Sequence, residues 1–303
     1  MRRNLGKLKS ERAMQDHHKA KGGGLGKGAL KWADVPYGHH DPLSYAIAAR
    51  DRSTVEMVND AVRHKQVMLA FQPVVPAGQS DRVAFYEGLI RVLDATGRII
   101  PAREFIGAIE TTETGRIIDC LALEKGLRTL SMHGGLRLSI NMSARSIGYA
   151  RWMRTLTKGL DADPTVAERL ILEITESSAM LVPELVTGFM DEISQRGVSF
   201  ALDDFGAGFT SMRYLRDFYF DILKIDGQFI RGIAQDTDNQ VLTTALATIG
   251  RQFDMVTIAE SVERADDAAF LTAIGIDCLQ GYFFGAPSVK PVWLTPDARR
   301  GAA

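Results

Sequence analysis

From residue 67 onward, short apolar runs rich in β-branched residues alternate with longer segments of helical period. This rhythm constrains the fold more than any other feature of the chain. The runs are Val67–Val75, Val83–Leu93, Leu136–Ser143, Leu170–Thr175, Val198–Asp203, Ile222–Ile225, Met255–Ala259 and Cys278–Phe283. Helical periodicity falls near 102–131, 144–160, 182–196, 210–217, 236–253 and 264–274. Only the first two runs adjoin without a helix between them, and their link, Pro76-Ala-Gly-Gln-Ser-Asp81, is turn chemistry. Strands joined mostly by helical crossovers predict an α/β fold: a modified TIM-like (β/α)8 barrel with an irregular first hairpin. A doubly wound open sheet is the alternative. It would carry a Gly-rich first βα turn, and none is present.

The expected organisation is a basic, Gly-containing flexible arm over 1–40, a leading helical segment over 41–66, the barrel over 67–291 and a C-terminal tail over 292–303. Ser53 with Glu56 fits a capping box for a helix running to about Lys65, with Val55, Val58 and Val62 as its apolar stripe. The run from Lys21 to Gly28 superficially suggests a phosphate loop. Its glycine spacing is one residue short, Gly28 stands where Ser or Thr is needed, and no apolar strand precedes it.

Charge is unevenly spread. Residues 1–31 hold nine Lys/Arg against two acids, a net +7, which leaves −8 for the rest of a chain whose total is −1. The arm reads as a solvated tail, with contact to an unknown protein partner, nucleic acid or anionic lipid as the alternative; no DNA partner is expected. Cys120 and Cys278 lack paired spacing, so neither a disulfide framework nor a zinc site is expected, and both read as small buried apolar residues. No run approaches a membrane span, and the basic N-terminus lacks the apolar core of a signal peptide. The expectation is a cytoplasmic protein.

Polar residues at the C-terminal ends of barrel strands converge on one mouth. The residues closing these runs are Glu87, Asn141, Glu173, Asp203 with Asp204, Lys224, Glu260 and Gln280. Carboxylates and an amide oxygen are hard donors suited to Mg²⁺, Mn²⁺ or Ca²⁺, and all six histidines lie outside the set, which argues against a zinc hydrolase. So many acids in one mouth repel without cations, and two divalent ions neutralise them. Asp203 and Asp204 fit the bridging position. Adjacent strand residues point to opposite faces, so both reach the mouth only where the strand breaks, and Phe205-Gly-Ala-Gly208 is expected to supply that break. Lys224, inside an apolar strand, needs an anion: either one acid in a structural ion pair, or the attacking hydroxide or a phosphate oxygen. Glu176 reads as an anchor behind the ligands, with a helix cap as the alternative. The planar fork of Arg91 suits a phosphate, with an exposed ion pair as the alternative.

These residues also carry a family resemblance. Glu87-Gly-Leu89 followed by Arg91, Ile140-Asn-Met-Ser143, Leu172-Glu-Ile-Thr-Glu-Ser177, Ala201-Leu-Asp-Asp-Phe-Gly-Ala-Gly208, Leu223-Lys-Ile-Asp226 and Ile258-Ala-Glu-Ser-Val-Glu263 resemble the motifs of the EAL domain, the phosphodiesterase that linearises cyclic di-GMP. The likeness runs from Phe71-Gln-Pro73 to Gln280-Gly-Tyr282 and on to Pro287. It implies that Glu87, Asn141, Glu173 and Asp203 hold a first metal, with Asp203 bridging and Asp204 on a second. It also implies that Lys224 positions the nucleophilic water, that Glu260 binds the second metal or acts as base, and that Gln280 contacts a water on the metal. Glu176 would anchor the loop after Asp204, while Gln72, Arg91 and Asp226 would help bind substrate.

The implied reaction is hydrolysis of cyclic di-GMP to linear pGpG by in-line attack of water, with two Mg²⁺ or Mn²⁺ per site. Ca²⁺ is expected to inhibit, because a larger ion of looser geometry holds the water poorly. The resemblance further implies a homodimer. Where the family pattern has Ala, Gly and T-G-Y-S-S, this sequence has Gly88, Ser261 and Ala207-Gly-Phe-Thr-Ser211. None of these removes a ligand, but the altered loop and Ser261 bear on turnover. The rival reading is a weak or silent cyclic di-GMP receptor that keeps the barrel.

Overall fold

The structure, a computed structural model, describes residues 42–208 and 215–294. The chain divides into two compact units, 1–49 and 50–303. Only the opening of helix α1 (Pro42–Arg63) is described in the first unit, and the strands all lie in the second. The basic arm, the run from Lys21 to Gly28, residues Thr210 and Ser211, most of the helix expected near 210–217, and 295–303 lie outside the described residues.

The expected capping box is not formed. Helix α1 continues unbroken through Ser53, which therefore sits inside the helix and caps no terminus. Pro42 opens this helix, where its missing N–H is harmless. The stripe from Val55 extends an existing helix rather than starting one.

Nine strands follow: β1 (Val67–Pro76), β2 (Phe85–Leu93), β3 (Ile99–Pro101), β4 (Leu138–Asn141), β5 (Leu170–Thr175), β6 (Ser199–Phe205), β7 (Ile222–Ile225), β8 (Val256–Ala259) and β9 (Cys278–Gln280). Neighbours from β2 through β4 to β9 are parallel, while β1 pairs antiparallel with both β2 and β9 and closes an eight-strand ring. The opening hairpin is thus the irregular part of the barrel, as the turn at 76–81 implied. The sequence reading missed β3, which lies antiparallel along the outer part of β2, with Pro101 opposite Arg91. Three residues are too few for a period-two signal.

The described helices are α2 (Ile106–Ile109), α3 (Glu113–Met132), α4 (Ala150–Ala162), α5 (Glu176–Ala179), α6 (Pro183–Ser194), α7 (Gly227–Ile230), α8 (Thr237–Gln252) and α9 (Ala265–Ala273). The helix expected over 102–131 is divided: a 3₁₀ turn and α2 come first, and α3 starts after Thr112, whose hydroxyl accepts from Gly115 N. The one expected over 144–160 begins at Ala150, after a 3₁₀ turn over Ala144–Ser146.

Side-chain alternation explains where the core sits. In β5, Leu170, Leu172 and Ile174 face outward into a cluster with Leu127 of α3, Leu156 of α4 and Phe189 of α6. The ring interior holds a separate apolar plug: Val74, Phe85, Ile171, Ala201, Ile222, Ile258 and Cys278. Two residues further toward the mouth on the same faces stand Gln72, Glu87, Glu173, Asp203, Lys224, Glu260 and Gln280. An apolar floor therefore carries a polar layer, because period-two geometry returns each strand to the interior at every second residue.

Candidate metal centre and its cavity

Lys224 is the hub of that layer. Its side chain is 1% exposed, and Nζ lies 2.8 Å from Glu173 Oε2, 2.9 Å from Asp203 Oδ1, 2.7 Å from Glu260 Oε1 and 3.6 Å from Glu87 Oε2. The structural-pair alternative foresaw one acid; the ammonium meets four. Burial opposes its charge, but Asp203, Glu173, Glu260 and Glu87 together hold its pKa well above the ordinary lysine value. Conversely, burial and the charge of neighbouring Glu87 push Glu173 up to about 8. Burial and Asp203 likewise raise Asp204 to about 7. Four carboxylates around this ammonium, with Asp204 beside them, leave excess negative charge.

An amide relay runs along the other side. Asn141 Nδ2 donates to Glu87 Oε1 at 2.7 Å, and Gln280 Nε2 donates to Glu87 Oε2 at 2.5 Å and to Gln72 Oε1 at 3.3 Å. Gln72 Nε2 donates to Gly285 O at 3.1 Å. Glu87 is thus fixed from two strands. It stands in the inner third of β2 rather than at its end, a correction to its expected place: β2 continues past the mouth to pair with β1 and β3.

Asp203 and Asp204 reach the mouth together because β6 bulges at Asp204 itself. Its φ is 55°, and the β6–β7 register shifts between Leu202 and Phe205. The break expected at residues 205–208 follows directly: β6 ends at Phe205, and Gly206 has φ of 93°. One ligand atom each from Asp203, Asp204 and Glu260 lie within 4.8 Å of one another. Buried Glu173 Oε1 and Gln280 Oε1 have no hydrogen-bond partner, and neither does Asp203 Oδ1, whose approach to Lys224 is close but not aligned. Orphaned hard oxygens beside a carboxylate triad fit a divalent cation of the Mg²⁺ class.

Glu176, the first residue of α5, is 2% exposed and accepts from Gly206 N at 2.8 Å, which ties α5 to the backbone just beyond Asp204. Asp226 caps α7 by accepting from Gln228 N and faces Asp204 rather than the cavity. Gly88 sits beneath Ile140, where a Cβ would come within 2.7 Å of its Cδ1.

Above the centre opens a cavity of about 670 Å³, a size suited to a small ligand. Arg91 lines it half-buried; burial lowers its pKa, and Arg103 adds to that while Glu87 opposes it. Arg91 makes no ion pair among the described residues, so the surface-pair alternative is not formed. Arg103, Arg231, Tyr282 and Asp119 also line the cavity and were missed from sequence. Only the register of β3 with β2, or packing across the mouth, brings them there.

Asp119 of α3 accepts from Ser143 N at 3.0 Å and Ser146 Oγ at 2.6 Å, bracing the loop after Asn141. Burial raises its pKa to about 6. A carboxyl raised on folding holds its proton more tightly in the folded state. Stability therefore falls as pH rises from the ordinary Asp value through about 6. Asp119→Asn keeps an acceptor without the charge. Relative to the wild type, its melting temperature should be higher near pH 7 than near pH 4, by the equivalent of about 2 kcal/mol. A difference independent of pH, read by calorimetry, would contradict this.

The EAL domain model matches residues 55–287, three quarters of the chain. The chain belongs to the EAL domain family. Among similar proteins, cyclic di-GMP phosphodiesterase PdeB of Shewanella oneidensis is 30% identical over 234 residues, covering 76% of this chain and 27% of that protein. Probable cyclic di-GMP phosphodiesterase PdeN of Escherichia coli is 29% identical over 248 residues, covering 80% and 47%. The chain spans between a quarter and a half of these relatives' length. The solved PaMucR phosphodiesterase in complex with c-di-GMP superposes on this EAL domain with a TM-score of 0.69 at 28% identity, over 78% of this chain and 97% of that one. An EAL domain protein from Listeria monocytogenes gives 0.67 at 27% identity, over 77% and 93%. Among the described residues, no helix of this EAL domain is long and apolar enough to cross a membrane.

Proposed function

We propose that this EAL domain hydrolyses cyclic di-GMP to linear pGpG. The observation that carries the reading is the Lys224 cluster: one fully buried ammonium within 3 Å of carboxylate oxygens from β5, β6 and the residue that follows β8, open above to a cavity of ligand size. A receptor that only binds needs neither the buried cation nor orphaned carboxylate oxygens beside it.

Glu87, Asn141, Glu173, Asp203 and Asp204 would hold two divalent cations, with Glu260 shared between ligation and base. Bound there, the cations would supply charge neutralisation and a more acidic water. Lys224 holds the attacking oxygen in line with the scissile bond. Water oxygen bonds to phosphorus as the P–O3′ bond breaks; Glu260 takes the water proton and returns it to bulk water, from which the departing 3′ oxygen takes one. Gln72 and Arg91 orient the substrate from the β1–β2 side, and Gln280 fixes Glu87. Glu176 keeps the Asp204 bulge in shape through Gly206.

The deciding experiment incubates the purified chain with cyclic di-GMP and Mg²⁺ or Mn²⁺ and separates the products by chromatography. pGpG should form in either metal, with Ca²⁺ suppressing it. Glu87→Ala should lower turnover by about a thousandfold while circular dichroism stays that of the wild type, since its charge serves the mouth and not the apolar floor. Binding without turnover in both metals would establish the receptor reading instead.

A further inference from the structure

Residue 261, where this chain departs from the family pattern, has a defined place at the cavity rim. Ser261 follows Glu260 directly and has φ of 56°, a left-handed conformation that a non-glycine residue adopts at a cost of about 1 kcal/mol. Its Oγ accepts from Arg231 Nη2 at 3.0 Å. The facing backbone is cut to fit: a Cβ at Gly227 would lie 2.3 Å from Ser261 Oγ and 2.6 Å from its Cβ. Ser261 and Gly227 are therefore a matched pair. The strained hydroxyl does one visible thing, which is to hold the guanidinium of Arg231.

Arg231, Ser261 and Glu263 all line the cavity, and Arg231 Nε lies 3.9 Å from Glu263 Oε1. A donor fork and an acceptor thus stand side by side at this rim. A phosphate approaching Arg231 would also meet the charge of Glu263, whereas a base with both kinds of group would not. Guanine offers O6 and N7 as acceptors and N1–H and N2–H₂ as donors; adenine places a donor where guanine has O6. Arg91 and Arg103 serve anionic groups from another wall, with no acid in ion-pair contact among the described residues.

We propose that Arg231, held by Ser261, reads a guanine base of the substrate, with Ser261 as its positioning residue. This deepens the cyclic di-GMP reading and rests on it.

The test uses the full chain with Ca²⁺ in place of Mg²⁺ and measures the affinity for cyclic di-GMP and cyclic di-AMP by calorimetry. Arg231→Ala should reduce the preference for the guanine ligand about tenfold, the loss expected for one good bidentate base contact. Ser261→Gly should reduce it about threefold while the melting temperature holds or rises, because the left-handed strain is relieved. A merely structural Ser261 would shift the melting temperature and leave the preference intact. Arg231→Lys separates charge from geometry: a lysine that restores full preference overturns the base-reading role, as does an Arg231→Ala preference equal to that of the wild type. A wild-type chain that binds neither dinucleotide overturns the functional reading itself, before any variant is compared.

Discussion

Lys224→Met should lower turnover of cyclic di-GMP by about a thousandfold and make the stability of the fold depend on divalent cations far more than in the wild type. The methionine fits the same volume but removes the one ammonium that, among the described residues, pairs with Glu87, Glu173, Asp203 and Glu260 within 4 Å. Removing one partner of a buried ionic cluster costs about 3–5 kcal/mol, because the remaining charges are left uncompensated. In chelator, the variant should melt well below the wild type, and its carboxylates should carry more protons. Mg²⁺ should recover most of that loss, since the cation takes over the neutralising role while the positioning of the nucleophile stays lost. Thermal melts with and without metal, run beside a product assay, check both halves. A variant that melts like the wild type in chelator would show that the ammonium does not balance these acids.

Among the described glycines, Gly281→Ala should be the most destabilising change to alanine. A Cβ at 281 would sit 2.0 Å from Val262 O, 2.3 Å from its N and 2.6 Å from its C. Backbone atoms cannot rotate away as a side chain can. Val262 is itself pinned: its N–H donates to Gln280 O at 2.9 Å, its carbonyl accepts from Phe283 N at 3.1 Å, and its side chain is fully buried beside Leu279. Relief must therefore move the ends of β8 and β9, which carry Glu260 and Gln280. The expected loss is about 4 kcal/mol or more, which for a domain of this size lowers the melting temperature by roughly 8–16 °C. Turnover should fall with it even below the melting range. A melting temperature within about 2 °C of the wild type would refute the close approach.

Much of the barrel was legible in the sequence. β5 and β7 coincide with the apolar runs that predicted them, and the helix-free link at 76–81 marked the antiparallel opening hairpin. The polar residues of the mouth were legible for a related reason: a Glu or Lys within an apolar run is costly to bury and therefore stands out. The depth of Glu87 could also have been read, since Phe85 and Glu87 repeat the apolar-then-polar pair seen at 171 and 173, 201 and 203, 222 and 224, 258 and 260, and 278 and 280.

The sequence by itself determined the strand rhythm, the α/β class and the chemical identity of the acids, because these follow from local period and from the cost of burying charge. Only the tertiary structure decided which oxygens surround Lys224, that β6 bulges at Asp204 before it ends at Phe205, that β3 carries Arg103 to the mouth, and that Ser261 holds Arg231. Each of those depends on contacts between residues tens to hundreds of positions apart. They are fixed by strand register and by closure of the β1–β2 hairpin, for which local periodicity carries no signal.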